Sequence, residues 1–186
     1  MIVDALILAG GRSSRLGASE KQKLRVDGIT LLERSVSAVR AVGGRDVVVV
    51  GDDTVEGART VREDPAFAGP AAAIAAGLDA LGDDADLVLV LACDMPRVAE
   101  LLPPLLGAGS RGGIAVDGGR RQYLAFAAPP VSLDAAIEGV PSLVDAPVRL
   151  LVEALDLPDV VVPAGSSDDV DTWDDAARLG AVEAGA

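Results

Sequence analysis

Residues Val3–Lys21 read VDALILAGGRSSRLGASEK. Up to Ala9 the run is apolar except for Asp4, and Gly10-Gly11 ends it. That is the pattern of a buried strand, and a strand buried on both faces belongs to a parallel sheet covered by helices. Beyond it, Arg12, Arg15, Lys21, Lys23 and Arg25 gather in a chain whose formal net charge is -13. Gly10 and Gly11 let the backbone turn sharply and approach a ligand. Successive backbone N–H groups there can form an anion-binding nest, and Arg15 with a nearby lysine supplies charge-assisted hydrogen bonds. The loop therefore predicts a phosphate site. A strand–turn–helix connection with solvated basic residues would use the same composition. No Gly-Lys-Ser/Thr follows at the Walker spacing and no G-x-G-x-x-G is present, so two better-known nucleotide loops are excluded.

Strands and helices alternate downstream. TLLERSVSAVRAV has helical spacing, with Thr30 as N-cap and Gly43-Gly44 as the stop. DVVVVG is a β-branched strand and ARTVRED a weaker one ending at Asp64-Pro65. Gly69-Pro70 opens a helix over Pro70–Leu81. DLVLVLACD reads as a strand, and ELLPPLLGAG as a short, proline-interrupted helix. Asp117-Gly118 lies between two strand-like runs and predicts a hairpin. APVRLLVEAL, DVVVP and TWDDAARLGAVEA read as helix, strand and closing helix. The expectation is an α/β fold, a three-layer α/β/α sandwich with a Rossmann-like, mostly parallel sheet and one antiparallel hairpin element. Residues 1–186 show no linker or repeat and are read as a single domain.

Half the residues are hydrophobic but only 2% are aromatic, so the core must be built from Val, Leu, Ile and Ala. The single cysteine, Cys93, excludes an internal disulfide, fits a reducing compartment and reads as a small buried hydrophobe. The absence of histidine excludes Ser–His–Asp and Cys–His nucleophiles and a His-ligated zinc. The first apolar run reads as a strand rather than a signal peptide, and no run reaches the roughly 20 residues that span a bilayer. A cytoplasmic location is expected. The acidic balance argues against nucleic acid and membrane as partners, but not against a small anion held by a local basic cluster.

In open α/β sheets, ligands bind beyond the carboxyl ends of the strands. Three unusual stretches fall there: the glycine-rich loop, CDMP after LVLVLA, and SSDDVDT after the last strand. Asp94 is a lone carboxylate facing the predicted phosphate loop, as a Mg²⁺ ion needs, and it would also serve as a helix N-cap. Asp168, Asp169, Asp171, Asp174 and Asp175 suit the positive end of a helix dipole.

LAGGRSSRLGASEK resembles the signature of nucleotidyltransferases of the molybdenum cofactor guanylyltransferase family, Leu-Ala-Gly-Gly, then Arg-(Met/Leu)-Gly and Asp-Lys. Leu8, Ala9, Gly10, Gly11, Arg15 and Gly17 match, with Glu20-Lys21 in place of Asp-Lys. The resemblance makes Lys21 the phosphate lysine, with Lys23 as the alternative. It makes Asp64, ahead of Gly69-Pro70, the acidic residue that helps hold the nucleoside, although Asp-Pro also initiates turns. It places the magnesium aspartate at Asp94 and offers Asp171 as a second ligand, with an N-cap role for Asp171 or Thr172 as the rival. Trp173 stands where the family has proline. On the acceptor side Arg121, Gln122 and Leu124 match one segment, with Tyr123 in the proline position, and Arg149 matches another. Solvated arginines would look the same.

The resemblance implies transfer of GMP from GTP to the phosphate of molybdopterin, with Mg²⁺ as cofactor, Arg15, Lys21 and Asp94 at the reaction and pyrophosphate leaving. It also implies transient contact with cofactor-delivery or molybdoenzyme partners. Alternatives are a cytidylyltransferase of the same cofactor, a phospholactate or sugar-phosphate transferase, and a non-catalytic nucleotide-binding module.

Overall fold

The computed structural model describes residues 1–10 and 21–183. In chain order its elements are β1 (Val3–Leu8), a 3-10 turn (Lys21–Lys23), β2 (Arg25–Val26), β3 (Ile29–Thr30), α1 (Leu31–Ala41), β4 (Val47–Val50), β5 (Arg59–Val61), α2 (Pro70–Ala80), β6 (Leu87–Ala92), α3 (Val98–Gly107), β7 (Gly113–Asp117), β8 (Arg120–Ala128), α4 (Pro130–Glu138), α5 (Val148–Ala154), β9 (Asp159–Val161) and α6 (Trp173–Leu179). Seven strands form one sheet in the order β5-β4-β1-β6-β8-β7-β9. β8 alone runs against the others. β2 and β3 form a separate ribbon.

Every residue of β1 and β4 is buried, because helices cover both faces of the sheet. Ala5, Ile7, Val47, Val49, Leu89 and Leu91 face α1 and α3, where they meet Leu32, Val36, Leu101 and Leu105. The alternate residues Leu6, Leu8, Val48, Val50 and Val90 face α2, α4 and α5, with Ile74, Leu133 and Leu151. This period-2 split produces three layers from continuous apolar runs. α2 packs so closely that a Cβ at Gly77 would lie 2.9 Å from both Leu6 and Val50.

Asp4 interrupts the first apolar run for a reason. It is fully buried and accepts hydrogen bonds from Arg45 Nε (3.0 Å), Arg45 Nη2 (2.6 Å) and the Asp46 amide (3.0 Å). A buried carboxylate is tolerable only when so paired. The bonds tie the start of β1 to the segment entering β4.

Three elements differ from the sequence expectation. α3 continues through Pro103 and Pro104. Neither proline is buried, and the carbonyls they orphan, on Ala99 and Glu100, belong to exposed residues that water can reach, while Leu101, Leu102 and Leu105 hold the helix to the sheet. α4 was not expected, because only Leu133 and Ala136 of it are buried and the helical period is faint. The β2–β3 ribbon is too short to leave a pattern. The hairpin at Asp117 is present, turning on Gly118 (φ 55°) and Gly119 (φ 78°), which the two-residue turn requires.

Thr30 caps α1 in a capping box with Glu33. Thr30→Ala is expected to lower stability by about 1 kcal/mol. In urea denaturation the midpoint should fall with an unchanged m-value.

Candidate active site

β1 stands between β4 and β6, with consecutive crossovers leaving on opposite sides. A crevice therefore opens beyond its carboxyl end. Leu8 is in register with Ala92, and the Cys93 amide donates to the Leu8 carbonyl at 3.1 Å. The two strand ends thus deliver Gly10 and Asp94 to the same rim. A cleft of about 650 Å³ lies there, with Leu8, Ala9, Gly10, Lys21, Glu63 and Asp94 in its wall and Phe67, Gly69 and Leu124 further along it. That volume suits a nucleotide. On the side where a Cβ would sit on Gly10, the nearest atom of the described residues, its chain neighbours aside, is the Val50 carbonyl oxygen at 3.9 Å.

The polar end of the cleft is built by three segments. The 3-10 turn carries Lys21, whose Nζ donates to Asp94 Oδ2 at 3.3 Å and also to Asp171 Oδ1. Asp53 fixes this turn by accepting from Gln22 Nε2 at 2.6 Å and pairing with Lys23 at 3.2 Å. The loop before α6 brings Asp169 and Asp171. It is tied to the Asp94 loop by the Val170 amide, which donates to the Asp94 carbonyl at 3.1 Å. Carboxylate oxygens of Asp94, Asp169 and Asp171 all lie within 4.8 Å of one another. A hard divalent cation takes such oxygens, so the residues present fit Mg²⁺.

Neither cap reading applies to these carboxylates. The N-cap of α3 is Arg97, without a side-chain bond. Thr172 caps α6 in a capping box with Asp175. Burial pushes the Asp94 carboxyl above its ordinary pKa, with Lys21 opposing and Asp171 adding to the shift. Asp169 is pushed up by burial and by the charges of Asp94 and Asp171. Burial also works against the Lys21 ammonium, but hydrogen bonds and charge from Asp171 and Asp94 hold its pKa above the usual lysine value. Burial pushes the Cys93 thiol far up, so it stays a protonated core residue.

Of the residues singled out from sequence, Leu8, Ala9, Gly10, Lys21, Asp94 and Asp171 converge here. Gly11, Arg15 and Gly17 lie outside the described residues. Lys21, not Lys23, reaches the carboxylates. Asp64 is exposed and is not in the cleft wall, whereas its neighbour Glu63 is buried and is. Glu63 Oε1 accepts from the Phe67 amide at 2.9 Å, which holds Phe67 at φ 65° under the Arg62 guanidinium. Arg121 Nε instead donates to Asp159 Oδ1 at 2.6 Å, Gln122 to the Arg120 carbonyl at 3.3 Å, and Arg149 to Glu153 at 2.7 Å on its own helix. Those three do not line the cleft, although Leu124 does. The sequence reading passed over Asp169 as a ligand, and the signal was present in the alternation Asp169-Val170-Asp171.

Because Asp94 is held above its ordinary pKa, its ionised form costs stability when no cation is bound. That cost is present at neutral pH and vanishes as falling pH protonates the folded-state carboxyl. Asp94→Asn is therefore expected to raise the melting temperature at pH 7 in EDTA, with the gap to wild type closing in acid. Thermal denaturation against pH checks this.

Residues 5–160 match the MobA-like NTP transferase domain. A probable molybdenum cofactor guanylyltransferase of Opitutus terrae is 37% identical over 50% of this chain and 48% of its own length. The chain thus spans about half the length of that relative. A molybdenum cofactor guanylyltransferase of Acidiphilium cryptum is 31% identical over 70% of this chain and 69% of its own. Among solved structures, a nucleotidyl transferase from Methanothermobacter thermautotroptrophicus superposes with a TM-score of 0.77 at 20% identity, covering 96% of this chain and 95% of that one. The 2-C-methyl-D-erythritol 4-phosphate cytidylyltransferase of Thermus thermophilus gives 0.66 at 24%, covering 96% and 97%. These two likenesses concern the fold. Taken with the match over most of its length, the chain belongs to the MobA-like NTP transferase family.

Proposed function

We propose that residues 1–186 act as one nucleotidyltransferase domain that moves GMP from GTP onto the terminal phosphate of molybdopterin and releases pyrophosphate. The observation that carries this reading is the meeting of Lys21 with Asp94 and Asp171, 73 and 150 residues away in sequence, at the polar end of the cleft. The guanylyl assignment rests on the names of the curated relatives. A cytoplasmic setting agrees with the finding that, among the described residues, no helix is long and apolar enough to cross a membrane.

In this reading the amides following β1 and the Lys21 ammonium hold the triphosphate, and the apolar wall with Phe67 and Leu124 receives the nucleoside. Asp94, Asp169 and Asp171 would hold Mg²⁺. When bound, that ion supplies charge neutralisation to phosphate oxygens as pyrophosphate leaves. An acceptor phosphate oxygen forms the new bond to the α-phosphorus as the bond to the bridging oxygen of pyrophosphate breaks. A phosphate nucleophile is already an anion, so no strong base is required, in keeping with a chain that has no histidine. Catalysis then consists of positioning and electrostatic stabilisation.

Pyrophosphate release measured with a panel of nucleoside triphosphates, with and without molybdopterin, tests the proposal. GTP- and pterin-dependent release is expected, falling about a thousandfold in Asp94→Ala. A preference for CTP would move the chain to a cytidylyltransferase, and no release with any pair would leave a nucleotide-binding module. Lys21 makes a sharper test, because it neutralises the site that a metal would occupy. Lys21→Met is expected to weaken triphosphate binding about tenfold. In nucleotide-free protein the same variant should bind Mn²⁺ more tightly, as followed by electron paramagnetic resonance.

A further inference from the structure

The loop that carries Asp169 and Asp171 is held in part by its own turns, the Ser166 amide donating to the Pro163 carbonyl at 3.0 Å and the Asp168 amide to the Gly165 carbonyl at 3.3 Å, and by Val170, buried against Leu24 and Leu31. It contains Gly165 at φ 73°, two serines and two consecutive aspartates, and repulsion within the carboxylate cluster would push it away from Asp94. Besides the Val170–Asp94 backbone bond, an anchor comes from the β7–β8 hairpin. Asp117 is the last residue of β7. Because β8 alone is reversed, the hairpin tip lies at the same rim as the ends of β1 and β6. Asp117 Oδ1 accepts from the Gly165 amide at 3.1 Å, and Oδ2 accepts from the Ser167 amide at 3.2 Å and Ser167 Oγ at 2.8 Å. Arg97, three residues past Asp94, also holds the loop through the Ala164 carbonyl at 3.1 Å. Arg178 of α6 pairs with Asp168 at 2.5 Å.

We propose that Asp117 is a positioning residue, which fixes the 163–171 loop so that Asp169 and Asp171 stand beside Asp94 and thereby sets the affinity of the cluster for a divalent cation. The inference rests on the metal reading given under Proposed function. Asp117 touches neither the cleft nor the carboxylates themselves, so its effect passes through three donors of the loop. An ionised carboxylate suits the task, since it is acceptor-only and takes all three at once. Burial works against the charge of Asp117, and the three donors outweigh it, holding its carboxyl below the ordinary range. Asp117 also belongs to the hairpin that carries Arg121 and Gln122.

Mn²⁺ is titrated into the full chain without nucleotide, with free Mn²⁺ read by electron paramagnetic resonance and the fold checked by circular dichroism. Outer-shell partners of metal ligands are worth about 10–100-fold in metal affinity, so Asp117→Ala should raise the Mn²⁺ dissociation constant about tenfold or more. Ser167→Ala removes one side-chain donor and leaves the backbone bonds, so it should raise the constant about threefold. It decides the question alone if Asp117→Ala does not fold. In turnover, Asp117→Ala should raise the Mg²⁺ concentration for half-maximal rate while kcat recovers at saturating Mg²⁺. Unchanged Mn²⁺ affinity in folded Asp117→Ala or, failing that, in Ser167→Ala overturns the positioning role and leaves the metal reading standing. So does a loss of kcat that no Mg²⁺ concentration repairs. A wild-type chain that binds no Mn²⁺ either alone or together with a non-hydrolysable GTP analogue overturns both readings.

Discussion

Carboxylate oxygens of Asp94, Asp169 and Asp171 lie within 4.8 Å of one another, so their charges repel unless a cation stands among them. That constraint governs the carboxyl rim of this protein. The cation that the structure sets among them is the Lys21 ammonium, in contact with Asp94 and Asp171. The arrangement is one of stored repulsion. Asp94 and Asp169 are held above their ordinary pKa values and the lysine is held more firmly protonated. A ligand that brings both a divalent cation and a polyanion, as a metal–nucleoside triphosphate does, would satisfy the acids and the lysine together. The protein would then exchange the two internal ion pairs of Lys21 for external ones, which is a physical reason for the cleft to prefer the complex to either component.

The fold places these charges with little local effort. Buried parallel strands need helices on both faces, and the reversal of crossover direction at β1 opens the crevice. β6, in register with β1, carries Asp94 to it. The last loop arrives from β9 at the far edge of the sheet. It must be held across that distance by Asp117, Arg97 and the Val170–Asp94 backbone bond. At the opposite end of β1, the buried Asp4 carboxylate and the exposed Arg45 perform a purely structural version of charge pairing.

Much of this could be read in the sequence, for identifiable reasons. Continuous runs such as VVVV and LVLVLA, the Thr30 cap and Gly69-Pro70 each have one physical reading, so the layered sheet followed from them. Asp94 was legible because a carboxylate directly beyond a buried strand has few structural uses, while Lys21 and Asp171 were legible only through the family resemblance of their segments. Glu63 against Asp64 was not legible. Adjacent acids in a loop without periodicity carry no signal of which one turns inward, and the answer depends on the Phe67 amide that Glu63 accepts. The directions of Arg121 and Arg149 were equally hidden, since each found an acidic partner, Asp159 or Glu153, that only the folded chain or the helix register brings near. α4 and the path of α3 through its two prolines depended on packing rather than on local preference.

The central claim is that a nucleoside triphosphate lies in the cleft between the ends of β1 and β6, with its phosphates and a divalent cation at the Lys21–Asp94–Asp171 end. A crystal grown with a non-hydrolysable GTP analogue and Mn²⁺, with data collected at the manganese edge, tests it most directly. The account predicts an anomalous peak ligated by Asp94 and Asp171, with the triphosphate against Lys21 and the base along the wall that holds Glu63 and Phe67. A nucleotide bound elsewhere, or a manganese peak away from these carboxylates, would contradict it.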